Sequence, residues 1–243
     1  MKWIFMEAEA GAGSQYLVAA MSNRSAIYNF LSRMYEKEIT TELLKEMIDE
    51  KSPILRVEGL QEIPDDELKN GLEKLRKYLE GLKERDLEEA RLELAVEYAN
   101  LFLGIKGKPP HPSESAYRSE DHLIMQEPMD EVLHAYWDAG VNKDKKFTEP
   151  ADHIAVELQF MAYLCRKTAE ALGRNEKDNA LKYLKMQKDF LRNHLSLWIS
   201  PFVKDILDTA EVDFYKGIAI ITKRFVELDN SMIDDLLKAA EEL

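Results

Sequence analysis

The chain has 243 residues, 45% of them hydrophobic and 9% aromatic, with only 10 glycines and 8 prolines. That composition excludes a disordered or fibrous polymer and suits a packed, helical protein of one large domain or two small ones. Lysine and arginine number 33 against 46 acidic residues, a formal charge of −13, and a field of that sign opposes nucleic acid and anionic membranes while attracting cationic partners. The single cysteine, Cys165, excludes an internal disulfide and a cysteine metal cage. No apolar run approaches the roughly 20 residues that span a bilayer, so a cytoplasmic location is expected.

Residues 1–21 read as a peripheral N-terminal extension, loosened by Gly11, Gly13 and Ser14, of the kind an upstream start codon would add. Within it, Trp3-Ile4-Phe5-Met6 is too short for a signal-peptide core and runs into Glu7 and Glu9. An all-helical domain over 22–243 is expected to follow. Ser22-Asn23 suits the cap of a helix through Ile27, Phe30, Leu31, Met34 and Tyr35. A second helix is predicted over about 40–50, and Pro64-Asp65-Asp66-Glu67 has the residues of another helix start. The segment 86–103 is amphipathic through Leu87, Ala90, Leu94, Tyr98, Leu101 and Phe102. Its Glu89, Glu93 and Glu97 repeat every four residues, an acidic column that is either a solvated face or a binding stripe.

Gly104, Gly107, Pro109, Pro110 and Pro112 break the pattern and predict a long irregular loop over 104–119. Helical spacing resumes over about 129–138 and stops at Gly140. Glu149-Pro150-Ala151-Asp152-His153 then packs two carboxylates, an imidazole and a helix-starting proline ahead of a buried-face pattern at Ile154, Leu158, Met161, Cys165, Ala169 and Leu172. A helix beginning at Pro150 would set Glu149 and Asp152 against its positive dipole end, with His153 near enough to sense their charge. Cys165 falls on that apolar face and reads as a buried, inert thiol. Further helices are expected over about 177–197, after an interruption at Pro201, through Phe214–Leu228, and in a short terminal piece. The fold class is all-α.

Catalytic and metal motifs fare poorly. Glu131-Val132-Leu133-His134 has the Glu-x-x-His spacing of di-iron helices, but a second copy and two further glutamates are missing. His153 and Glu157 lie one turn apart without the paired histidines of zinc proteases. Gly107-Lys108 is followed by Pro109 and cannot be a P-loop, and Ser113 and Ser115 lack an elbow and a base. Trp137 and Trp198 read as packing residues. A helical metalloenzyme built on His134 and His153 remains the competing class, and an inert scaffold the third.

Four segments in order resemble the TorD/DmsD family of cytoplasmic chaperones for molybdoenzymes, related to the nitrate reductase delta assembly chaperones. They are Glu97–Gly104 with its Tyr-x-x-Leu-Phe-x-Gly pattern, Pro112-Ser113-Glu114-Ser115-Ala116-Tyr117, Glu149–Ile154 followed by Glu157-Leu158, and Phe190–Leu195 with Trp198 and then Phe214-Tyr215. Ser113 stands where the family usually has an aromatic, and Ile105 where a proline commonly follows the glycine.

The resemblance implies a single multi-helix TorD-like bundle with no cofactor and no catalysis. It would bind the N-terminal signal, often of the twin-arginine type, of a molybdopterin oxidoreductase precursor, as a monomer or homodimer. A nitrate-reductase-type variant would engage its enzyme without an export signal. Paired arginines require carboxylates, for which Glu114, Glu149 and Asp152 are candidates. The apolar part of such a signal requires a groove, which Tyr98, Phe102 and Tyr117 could line. Gly104, Pro150, His153 and Glu157 complete the candidate peptide site. His153 is either a loop tie that fixes the helix start or a residue that presents Asp152 to the client. The acids must then lie together beside an open groove.

Overall fold

Short polar side chains start three of the helices. Thr40, Asp65 and Asp86 each stand in extended conformation and accept a hydrogen bond from a backbone N–H of the first turn that follows, satisfying donors that a helix start leaves orphaned. The computed structural model describes residues 10–49, 63–104, 109–144 and 146–243. Among them the chain is all-α, and its one extended pairing is an isolated antiparallel bridge between Ser113 and His153. The helices are α1 (Ala10–Glu36), α2 (Thr41–Ile48), α3 (Asp66–Gly81), α4 (Leu87–Phe102), α5 (Ser115–Arg118), α6 (Glu127–Asp138), α7 (Ile154–Gly173), α8 (Lys177–Phe190), α9 (Ser196–Thr209) and α10 (Asp213–Glu241).

Two long pairings frame the core: α1 lies along α7, and α10 along α3. Ser25 donates to the Ala162 carbonyl at 2.9 Å and Ser32 to the Ala155 carbonyl at 2.7 Å. Both pairs are two turns apart on one face, so the hydroxyls fix the register of α1 against α7. On the other pairing, a Cβ at Gly217 would stand 2.9 Å from the Gly71 carbonyl oxygen and 3.0 Å from the Leu75 nitrogen. Only a residue without a side chain lets α10 and α3 approach so closely.

Inside the bundle, Arg24 of α1 grips Asp229 of α10 with two nitrogens, at 2.6 and 2.7 Å. Tyr28 donates to the same carboxylate, Arg24 also donates to Gln187 of α8, and Gln187 donates to Thr168 of α7. All of these residues are buried. Burial lowers the arginine pKa, but the charge and hydrogen bonds of Asp229, with the Cys165 and Tyr28 side chains, together raise it above its ordinary value. One polar network thereby ties four helices together.

Several expected boundaries move. Of the segment expected to be a peripheral extension, residues 10–21 are the first part of α1, and Leu17 and Met21 sit in the core; residues 1–9 lie outside the described residues. Ser22 therefore caps nothing and donates back to the Val18 carbonyl. The helix expected from Pro150 begins at Ile154. Pro201 does not interrupt its segment: it lies within α9, which follows α8 through a widened π turn, Leu191–Leu195. Phe214–Leu228 and the terminal piece are one 29-residue helix. The loop expected over 104–119 closes in the helical turn α5, and its residues 105–108 lie outside the described residues. Gly104, at φ +72°, turns the chain out of α4.

Candidate functional site

Two of the sequence motifs are sewn together by backbone. Glu114 donates its N–H to the Asp152 carbonyl at 3.0 Å, and Ile154 donates to the Pro112 carbonyl at 2.8 Å. Asp152 then accepts from the Ser115 backbone N–H at 2.8 Å and from its hydroxyl at 2.5 Å. His153 occupies the N-cap of α7, where its Nδ1 accepts from the Ala155 N–H at 3.1 Å. Burial pushes the His153 pKa down to about 3, so the ring is neutral, as an acceptor at that nitrogen must be.

Glu114, Asp152 and Glu157 are all fully buried. Glu114 takes an ion pair from Arg118 at 2.6 Å and lies 3.0 Å from His194 in the π turn. Glu157 accepts from the Trp198 indole N–H at 3.1 Å. Burial, reinforced by the charges of Glu114 and Asp152, holds the Glu157 carboxyl well above the ordinary glutamate range. Burial also raises Asp152, against the opposing hydrogen bonds from Ser115. The raised pKa favours the neutral form of Glu157 beside the other two carboxyls. Three acids from two motifs thus form an internal cluster that joins the loop, α7 and the π turn.

An open cavity of about 770 Å³ lies on the other side of His153. Tyr98, Phe102, Leu103, Pro112 and Phe147 supply its apolar wall, and Glu36, Glu38, Asp144 and Glu149 face Lys37 and Lys146 across it. Arg33 shapes the rim by donating to the carbonyls of Lys37 and Glu38 at the end of α1. Tyr98 donates its hydroxyl to the Tyr35 carbonyl at 3.0 Å, and its ring meets Phe102 edge-on at 5.1 Å. Burial raises the Tyr98 pKa to about 12, and Glu149, Glu38 and Glu36 add to the rise. Arg33 opposes that rise.

A family model described as nitrate reductase delta subunit matches residues 64–204, more than half of the chain. Chaperone protein TorD of Vibrio parahaemolyticus is 31% identical over 221 residues, spanning 90% of this chain and 98% of that protein. Chaperone protein TorD of Photobacterium profundum is 32% identical over 220 residues, with the same coverage. The chain belongs to the TorD family of chaperones. A TorD-family chain of this kind is a chaperone rather than an enzyme.

Of the residues expected to form the peptide site, the TorD-family fold brings Tyr98, Phe102, Glu149 and His153 to the open cavity. It takes Glu114, Asp152 and Glu157 into the interior, where no carboxylate oxygen reaches a docked chain. The reason is local: the stretch ahead of α7 is pinned to the loop through Ser113, and this turns Asp152 toward Ser115 instead of solvent. Tyr117 stacks on Trp198 at 5.7 Å and donates to Asp205, away from the cavity wall. Gly104 serves the turn after α4, and Pro150 accepts at its carbonyl from the His153 N–H. Ser113, the departure from the family pattern, is buried in the bridge.

Other expectations are corrected too. Glu97 belongs to no solvated stripe: it is buried and accepts from the N–H groups of Glu211 and Val212 at the start of α10. Trp198 is fully buried as expected, whereas Trp137 is 54% exposed. His134 is exposed and bonded to the Asp130 carbonyl, Glu131 pairs with Arg118, and no group of metal-ligating side chains gathers among the described residues. Cys165 is buried, with its thiol pKa pushed up to about 12 by burial. No helix among the described residues is long and apolar enough to cross a membrane. Glu36, Glu38, Asp144 and Phe147 were missed because they fall at the end of α1, in the connection after it, and in the connection before Glu149, outside every motif. The charge runs Glu36-Lys37-Glu38 and Lys143-Asp144-Lys145-Lys146 were the available signal.

Proposed function

We propose that this chain is a maturation chaperone for a molybdopterin oxidoreductase and that it holds the cationic, apolar N-terminal leader of the precursor in the cavity beside His153. The observation that carries this reading is the pairing of four acids, Glu36, Glu38, Asp144 and Glu149, with an aromatic and aliphatic wall in one open cavity of a TorD-family chain. Adjacent arginines fit that rim because guanidinium groups make bidentate, charge-assisted contacts with carboxylates. The apolar stretch that follows them in a leader fits Tyr98, Phe102 and Leu103. Ordering a flexible segment costs about 2–5 kcal/mol, and a net −8 kcal/mol corresponds to a dissociation constant of order micromolar. A complex of that strength releases its client once the enzyme has folded. In this reading the protein works in the cytoplasm, before export.

The match to the nitrate reductase delta subunit model supports a second reading, in which the client is engaged without an export signal. Binding of the purified chain to a full-length precursor and to the same precursor lacking its leader separates the two. Retention of the full-length form alone supports leader recognition; equal retention of both supports the second reading.

A further inference from the structure

A second cavity, of about 420 Å³, adjoins the acidic one and shares Glu36, Asp144 and Phe147 with it. Its floor is aromatic: Tyr136 and Phe160 meet at 4.6 Å, and Phe160 stacks on Tyr163 at 6.4 Å with the rings 12° apart. Val141, Ala155 and Val156 complete the apolar lining. The connection that separates the two cavities is held in place by Lys143, which donates to the carbonyls of Phe147 and Glu149. The volume falls within the range of ligand pockets in proteins, about 300–1,000 Å³.

Charge decides what such a pocket takes. Lys143 is committed to two carbonyls, and Arg166 lies over the Tyr163 ring and reaches Glu170 at 3.9 Å. Glu36 and Asp144 balance these cations on the lining. Among the described residues that line it, no uncommitted positive charge is left to attract a phosphate or carboxylate, so a neutral, apolar occupant fits best. The shared wall makes that occupant part of whatever chain lies in the acidic cavity.

We infer that the pocket formed by Tyr136, Val141, Val156, Phe160 and Tyr163 is a subsite for one bulky apolar side chain, aromatic or branched, of the same client segment whose cationic residues sit among Glu36, Glu38, Asp144 and Glu149. This rests on the leader-binding reading and deepens it. The acidic cavity reads charge, and the aromatic pocket reads the large side chain that follows across the Asp144–Phe147 connection. Client choice then depends on the spacing between the two.

The test uses the full chain and three short acetylated peptides, with binding measured by calorimetry. One peptide carries adjacent arginines followed by a phenylalanine-leucine stretch, the second replaces the phenylalanine by serine, and the third replaces both arginines by glutamine. Val156→Asp sets a carboxylate in the pocket at the first turn of α7, where negative charge favours the helix. Val156→Thr is a milder variant should the first fold poorly, and circular dichroism melting checks both. The inference expects at least a tenfold loss of affinity for the phenylalanine peptide on Val156→Asp, and less than threefold for the serine peptide. Equal losses for both peptides, or no loss for either, would overturn it. Should the wild-type chain bind the arginine and glutamine peptides alike, the leader reading itself fails and the subsite falls with it, an outcome visible before any variant is made.

Discussion

Ser115 and Asp152, 37 residues apart in sequence, are joined twice: the backbone N–H and the hydroxyl of Ser115 both donate to Asp152 Oδ2. Both residues are fully buried, so the carboxylate organises the loop rather than meeting a client. Asp152→Ala strands two buried donors and is expected to cost about 1–3 kcal/mol; Asp152→Asn, which keeps an acceptor, costs less. Urea unfolding measures this, and peptide affinity per folded molecule should stay constant. Weakened peptide binding at unchanged stability would return Asp152 to the recognition surface.

Stability should respond to pH in two opposite directions. An unfolded histidine takes its proton near pH 6.5, but folded His153 does so only near pH 3. Between those values the unfolded chain holds more protons, so this stabilisation is lost as pH falls, by about 1.4 kcal/mol per unit. His153→Asn retains a capping acceptor and should flatten the slope between pH 6.5 and 3. Glu157 acts the other way: its folded pKa is raised, so from about pH 4.5 upward the folded chain holds more protons and stability is lost as pH rises. Glu157→Gln should therefore gain on the wild type as pH increases above 4.5, as denaturant melts at a series of pH values would report.

The Arg24–Asp229 pair lies wholly inside the bundle. Arg24→Met leaves a buried carboxylate without its counter-charge and should cost about 3–5 kcal/mol. The double variant Arg24→Met, Asp229→Leu should recover part of that loss, because an apolar pair removes both buried charges but leaves the Tyr28 hydroxyl without its acceptor. Chemical denaturation of the two variants provides the comparison.

Gly217→Ala is expected to force α10 away from α3, since the new methyl would meet the Gly71 carbonyl at 2.9 Å. A loss of about 1–3 kcal/mol is the usual result of overpacking. Gly81→Ala, where nothing lies within 4 Å of the added carbon, should be neutral or slightly stabilising in the same thermal melts.

Much of the fold was legible because helix starts carry local chemistry: Thr40, Asp65 and Asp86 announce themselves whatever surrounds them. Continuity was not. α10 runs on past Leu228, and α9 carries Pro201, because tertiary packing and the neighbouring π turn override local signals. The site divides along the same line. The reading of Glu114, Glu149 and Asp152 as one group of acids beside a groove could not say that the bridge at Ser113 turns Glu114 and Asp152 inward, beside Glu157, and leaves Glu149 at the open cavity. Of the four acids that line the open cavity, Glu149 lies in a motif, whereas Glu36, Glu38 and Asp144 come from the end of α1 and from connections whose placement depends on the whole fold.

The most direct test of the central claim is a charge-exchange cycle on the acidic cavity, read by calorimetry. A leader-like peptide with adjacent arginines and its glutamine counterpart are each titrated into the wild-type chain and into a Glu38→Gln, Glu149→Gln variant. The account predicts that wild type favours the arginine peptide by at least tenfold, that the variant loses most of this preference, and that added salt erodes it. Equal affinity for both peptides in the wild type, or a preference that survives the double substitution, would contradict it.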